Sequence, residues 1–305
     1  MTTPLAEPAS RRERLLGAAK ALPAVAFLGG SLLGFNAAQT ASLLLLPVSR
    51  RRFRAFNRWA AGRFWGWCVE VSERLHDIGV VYSGDEIPPG EKAILVANHQ
   101  QMPDITFLMF LARDKGRLAD MKWMLKDVIK YVPGVGWGML FFENLFVKRN
   151  WTADQAAIDK TFAGIKRNDV PLWLMMFVEG TRATPEKLEQ SRRYAESKGL
   201  PPTGHVLLPR TKGFVASVQA LREHLDAVYD VTIGYPDGVP DLWQYARGLA
   251  RRAHLHLRRW PIAELPADDA ALADWLQARF IEKDRLLEYF ERSDHFPQAA
   301  TAPPA

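Results

Sequence analysis

Ala93-Ile94-Leu95-Val96-Ala97-Asn98-His99-Gln100-Gln101-Met102-Pro103-Asp104 joins an apolar run to a polar turn and a proline. Its first five residues form a continuous apolar run, the pattern of a strand buried on both faces. Pro103 suits the start of a helix, predicted over Asp104 to Ala112. The polar residues between them therefore sit at the carboxyl end of a buried strand, where open α/β sheets collect their ligands.

A spacing of five does not place two side chains on one helical face, because five steps leave them about 140° apart. With His99 in the loop and Asp104 in the first helical turn, however, the chain folds back and the carboxylate can reach the imidazole. Such a pair makes a general base: the carboxylate fixes the tautomer and stabilises the imidazolium that forms. No Gly-x-Ser-x-Gly elbow is present, which argues against a lipid hydrolase and leaves a substrate hydroxyl as the group to be activated. Taken alone, His-x4-Asp is a weak pattern.

Moving outward, further apolar runs predict strands at Val80 to Tyr82, Leu172 to Val178, Ala227 to Ile233 and His254 to Leu257, with a short one before Pro209. Helical periodicity fills Thr152 to Arg167, Lys212 to His224 and Asp269 to Arg292. Alternating strands and helices predict an α/β fold, a mixed and mostly parallel sheet flanked by helices. The second polar strand end is Glu179-Gly180-Thr181-Arg182. It should face the same crevice, with Gly180 letting backbone approach a ligand and Arg182 offering a fork to phosphate. Lys148-Arg149 closes an aromatic stretch. Pro209-Arg210 precedes Thr211-Lys212-Gly213, which reads as a helix start capped by Thr211 and suited to an anion.

Toward the amino terminus, no charged residue lies between Lys20 and Arg50, a length that suffices to cross a bilayer. Gly29-Gly30 and Gly34 permit a bend or a hairpin. Arginines flank both ends, so the charge rule gives no orientation. In Phe53 to Trp67, positions 53, 56, 60, 64 and 67 share one helical face and Arg54, Arg58 and Arg63 crowd another. That predicts a helix lying in the membrane interface, with a helix packed on the core as the alternative. The expected division is a basic segment over 1–18, an anchor and interfacial helix over 19–75, a catalytic domain over 76–295 and a disordered tail over 296–305.

The chain has 305 residues, 48% of them hydrophobic and 24% charged, which excludes wholesale disorder. Its formal net charge of +6 fits nucleic acid, anionic membrane or phosphate-bearing substrates. The arginine clusters flank the apolar segment, so anionic membrane lipid is the expected partner and no nucleic acid is expected. Cys68 is the single cysteine, which excludes an internal disulfide and a Cys-based zinc site.

Four blocks in order, Asn98 through Asp104, Phe146 through Arg149, Glu179 through Arg182 and Leu208-Pro209, resemble the glycerophospholipid acyltransferase family, of the 1-acylglycerol-3-phosphate acyltransferase type. The similarity extends over roughly residues 20 to 290. Lys122 to Lys126, Leu207 to Phe214, Leu225 to Thr232 and His254 to Pro266 look like the lysocardiolipin acyltransferase branch and its bacterial relatives. The resemblance implies transfer of an acyl group from an acyl-CoA donor to a lysophospholipid acceptor. His99 would be the base and Asp104 its orienter. Arg149 and Arg182 would hold the acceptor phosphate, and Asn98, Glu179, Gly180 and Thr181 would line that site. Pro209 and Arg210 would serve the donor. The family uses no metal and no cofactor, acyl-CoA being a co-substrate. Gln101 departs from the small or basic residue common there, which bears on acceptor preference. The alternative is a membrane-tethered lipid-binding or regulatory protein of the same fold. The expected location is a bacterial inner membrane with the catalytic domain toward the cytoplasm.

Overall fold

Ala93–Ala97 forms a strand with all five residues buried. Alternate side chains of a strand point to opposite faces, and here they seed two separate cores. Leu95 and Ala97 join Phe107, Phe110 and Val69 on one side of the sheet, while Ile94 and Val96 join Phe162, Phe214 and Phe280 on the other. The structure is a computed structural model that describes residues 3–8, 10–142, 144–148 and 151–297, leaving aside the side chains of 151–155.

The strands are β1 (Gly79–Gly84), β2 (Ala93–Ala97), β3 (Met121–Lys126), β4 (Leu145–Val147), β5 (Trp173–Met176), β6 (Ala227–Gly234) and β7 (Arg252–Pro261). They form one sheet in the order β1-β7-β6-β2-β5-β3-β4. β6, β2, β5, β3 and β4 run parallel; β7 is antiparallel to β6, and β1 follows β7. The mixed, mostly parallel sheet is thus as expected. Two strands, β3 and β4, carry no alternation or long apolar run that would mark them. The predicted strand over Leu172 to Val178 is shorter, because Phe177 already turns out of the ladder. The predicted strand before Pro209 is absent: residues 207–210 run as an extended loop beside the end of β5, where Arg210 N–H donates to Val178 O.

The helices are α1 (Arg11–Ala41), α2 (Arg50–His76), α3 (Pro103–Asp114), α4 (Val135–Leu140), α5 (Trp151–Arg167), α6 (Pro185–Ser197), α7 (Thr211–Leu221), α8 (Leu242–Ala246) and α9 (Asp269–Ser293). α2 and α3 cover one face of the sheet, and α5, α7 and α9 the other.

α1 and α2 form a helical hairpin. The Ser10 hydroxyl caps α1 and that of Ser49 caps α2, each accepting a backbone N–H two or three residues on. Gly29, Gly30 and Gly34 introduce no break, and α1 is continuous for 31 residues. Residues Arg11–Leu45 are long and apolar enough to cross a membrane, with only 11% of their most apolar window buried. The aromatic face of α2, in contrast, is packed on protein. Phe35 of α1 meets Phe64 and Trp67, with ring centroids 5.9 and 5.3 Å apart. On its other side α2 is tied to the chain before β3, where Arg58 Nε bonds Asp120 Oδ1 at 2.5 Å. The face of 53, 56, 60, 64 and 67 therefore does the work of an ordinary amphipathic helix, the alternative reading of that pattern.

Two expected boundaries shift. The division at 18/19 falls inside α1, and Phe296, expected to open the disordered tail, is 2% exposed and packs on Phe290. Residues 298–305 lie outside the described residues.

Candidate active site

At the carboxyl end of β2 the chain turns through residues 98–102 into α3, whose first helical residue is Pro103 and second Asp104. The turn folds His99 back onto Asp104. His99 Nδ1 lies 2.9 Å from Asp104 Oδ2, with the carboxylate fully buried and the imidazole 13% exposed. A carboxylate only accepts, so the Nδ1 proton is donated to it and the lone pair is on Nε2. Among the described residues no protein group bonds Nε2. The ring is held flat against Phe177, with centroids 4.0 Å apart.

Asp104 is fully buried and ringed by donors. The same Oδ2 accepts the backbone N–H of Gln100 at 2.6 Å and of Gln101 at 2.9 Å. The other oxygen, Oδ1, accepts the Tyr235 hydroxyl at 2.5 Å. A buried charge of this kind is tolerable only when donors replace its lost water. Tyr235 comes from the carboxyl end of β6, next to β2 in the sheet.

Glu179 arrives from the carboxyl end of β5, the neighbour on the other side. It is 2% exposed, and its Oε1 accepts the His99 N–H at 3.4 Å. Burial, with the Asp104 carboxylate nearby, holds its carboxyl well above the usual range. Glu179 therefore shapes the His99 loop from within.

The remaining expected site residues divide. Arg182 is exposed at the rim, and its Nη1 donates to Gln101 Oε1 at 2.9 Å. Gly180 takes a φ of +72°, and a Cβ there would stand 3.1 Å from Arg210 Nε, so the close approach that its lack of a side chain permits is to Arg210. Thr181 accepts from Lys187 Nζ at 2.6 Å. Pro209 is buried and Arg210 exposed beside Val178. Asn98 is turned away from the crevice: its amide gives Nδ2 to Ile233 O at 3.1 Å and takes Ile233 N–H at 2.8 Å. It staples β2 to β6. Arg149 lies outside the described residues. The helix start at α7 differs from expectation, since Arg210 is the N-cap residue, without a side-chain cap, and Thr211 is the first helical residue.

Two family models match the chain. One described as Acyltransferase matches residues 79–236, from β1 to just beyond Tyr235, and one described as Acyltransferase C-terminus matches 246–304.

The chain belongs to the acyltransferase family.

Curated relatives agree. This acyltransferase is 35% identical over 282 residues to the probable 1-acyl-sn-glycerol-3-phosphate acyltransferase 5 of Arabidopsis thaliana, covering 92% of the chain and 74% of the relative. It is 34% identical to lysocardiolipin acyltransferase 1 of Danio rerio over 81% of the chain and 64% of that protein. Among solved structures, the 1-acyl-sn-glycerophosphate (LPA) acyltransferase PlsC from Thermotoga maritima matches with a TM-score of 0.52 and 19% identity, over 92% of this chain and 96% of that one. That likeness is one of fold.

Two residues at the candidate site were not anticipated from the sequence. Tyr235 ends a buried strand, as His99 and Glu179 nearly do, so the strand-tip rule applied to a third strand points to it. Lys283 of α9 is fully buried, with Nζ 2.6 Å from Asp230 Oδ1 and from Val231 O. It braces β6 from behind, and a lysine in an amphipathic helix carries no sign of that.

Proposed function

We propose that this acyltransferase transfers a fatty acyl group from acyl-CoA to the free hydroxyl of a lysophospholipid, 1-acylglycerol-3-phosphate or a close relative, with His99 as general base and Asp104 as its orienting partner. The carrying observation is the imidazole at a strand tip, bonded through Nδ1 to a buried carboxylate and open at Nε2. Nε2 takes the acceptor's hydroxyl proton as its oxygen attacks the thioester carbonyl. The tetrahedral adduct collapses, the C–S bond breaks, and the imidazolium returns its proton to the departing CoA thiolate. General-base assistance of this kind is worth roughly 10²–10⁴ in rate.

Arg182, standing at the rim within the same loop cluster, supplies a guanidinium for the acceptor's phosphate, a role shared by Arg149. Gly180, Thr181 and Glu179 set the backbone from which Arg182 projects, and Pro209 and Arg210 lie on the side where the donor enters. The reaction needs no resident cofactor. The names of the relatives support a phosphate-bearing lysolipid acceptor.

A membrane location follows from the acceptor. A lysolipid with a sixteen-carbon chain is held in a bilayer by roughly 12 kcal/mol, at about 0.8 per methylene. The enzyme therefore works at the lipid, with α1 as its anchor and arginines at its ends for anionic headgroups. We place it at a bacterial inner membrane, facing the cytoplasm where acyl-CoA is made.

The test is CoA thiol release by the full-length protein in detergent, with lysophosphatidate, lysophosphatidylglycerol and monolysocardiolipin offered in turn. Release that depends on the lysolipid, with matching acylated product by mass spectrometry, is expected. Lysolipid binding without release from acyl-CoA for any acceptor would instead favour a non-catalytic lipid-binding protein.

A further inference from the structure

Between β3 and β4 the chain exposes an apolar patch for which the chemistry above has no use. It leaves β3 at Lys126, at the carboxyl end of the strands, the end that carries His99 and Glu179. β3 is itself coupled to the imidazole: Trp123 stacks on Phe177 at 6.0 Å, and Phe177 on His99. A short 3₁₀ turn over Asp127–Tyr131 follows, in which no residue is buried, and then α4. Val128, Tyr131, Val132, Val135, Trp137 and Leu140 all stand exposed, Val128 by 64% and Tyr131 by 71%. Isolated exposed apolar residues need no explanation, but six large ones within thirteen residues mark a contact surface.

Three observations say what covers it. The patch continues the outer surface of α1: a Cβ on Gly134 would lie 2.8 Å from Leu32, Gln39 donates to Gly138 O, and Leu32, Phe35 and Val135 line one small cavity between the two segments. Leu22, Val25, Phe27 and Leu33 of α1 are exposed in turn, in the helix that is long and apolar enough to cross a membrane. The make-up is that of a bilayer boundary, with Tyr131 and Trp137 among aliphatic residues and the Lys130 ammonium 5.0 Å above the Tyr131 ring. The segment is also a built shape. Asn144 takes the Trp123 N–H and donates to Met139 O, and Gly136 is pressed so closely on Ile129 O that no Cβ would fit.

We propose that residues 127–140 dip into the lipid bilayer alongside α1, forming a second membrane contact at the rim of the active site over which acyl chains pass toward His99. The partner is the acyl-chain region of phospholipid. The surface serves the reaction proposed above, but its existence is read from depth and needs no turnover.

The experiment uses the full chain with Cys68→Ala and single cysteines placed at Val132 and Trp137, each carrying an environment-sensitive NBD fluorophore, in vesicles of phosphatidylethanolamine and phosphatidylglycerol. A third label at Tyr194, on the exposed side of α6, is the control. Expected are a blue-shifted emission and a loss of intensity with tail-nitroxide lipids at Val132 and Trp137, and neither at Tyr194. Emission at Val132 and Trp137 that stays water-like in vesicles overturns the proposal. So does shielding that is equal without vesicles, which would mean that two copies of the chain meet there. Either result leaves the thiol-release assay standing, and loss of thiol release leaves the depth result standing.

Discussion

Tyr235 donates its hydroxyl to the Asp104 oxygen that His99 does not use, at 2.5 Å, from a strand 131 residues further along the chain. One carboxylate is thus held between an imidazole and a phenol, each on its own oxygen. Burial and the same carboxylate keep the phenol far above its ordinary range, so it stays a donor at any working pH.

Tyr235→Phe removes that donor and little volume. A hydrogen bond to a charged group contributes about 1.5–3 kcal/mol, and part of it reaches the rate through the orientation of His99. The expected outcome is a kcat lower by about tenfold, which is 1.4 kcal/mol of barrier, with KM for acyl-CoA unchanged. In an Asp104→Asn background the same substitution should cost little more, because the pair acts as a unit. Additive losses would mean that Tyr235 acts elsewhere.

Glu179→Gln keeps the side chain's size and an oxygen to accept the His99 N–H while removing the ionisable group, so kcat should stay within a few-fold of wild type (a hundred-fold loss would show that an ionised carboxylate is needed). The sign of the stability effect also follows. The folded Glu179 binds its proton well above the unfolded value near 4.5, so it subtracts stability as pH rises past that value. Thermal melts should place the Gln variant at or above wild type at pH 8, with the gain gone at pH 4.

Arg182→Ala should raise KM for the phosphate-bearing acceptor by roughly 10- to 100-fold, the loss of a charge-assisted contact, with KM for acyl-CoA little changed. Gln101→Ala, which frees Arg182 from its 2.9 Å tether, should have a smaller effect of the same sign. Equal rises in both KM values would move Arg182 out of the acceptor site.

His256 gives a second pH signature, remote from the reaction. It is buried in β7 beside Ser83, and burial lowers its pKa to about 4. Its folded value lies below the unfolded one, so the stability it contributes is complete above about 6.5 and falls away as pH drops toward 4, by at most about 3 kcal/mol. Chemical denaturation of wild type and His256→Gln between pH 7 and pH 4 should show the shallower decline in the variant.

How much was legible beforehand follows from which interactions are local. AILVA declares itself because burial on both faces leaves no polar position, and His99 with Asp104 is readable because a single turn joins them. Tyr235 is not, since it meets Asp104 only through the pairing of β6 with β2. Asn98 sits in a recognisable block, yet its amide is used by Ile233, a contact that sequence spacing cannot reveal. The face of Phe64 and Trp67 on α2 has the same pattern whether it meets lipid or α1. Leu207-Leu208 is apolar for burial beside β5 without joining a ladder, and β4 is three residues long, too short for any period to show.

Removal of the acceptor's proton by His99 is decided by the initial rate of CoA release with lysophosphatidate for wild type and His99→Ala, at saturating substrate, with equal melting temperatures establishing that both are folded. A rate reduced by a hundred-fold or more is expected. A folded His99→Ala protein that turns over at the wild-type rate would contradict the account.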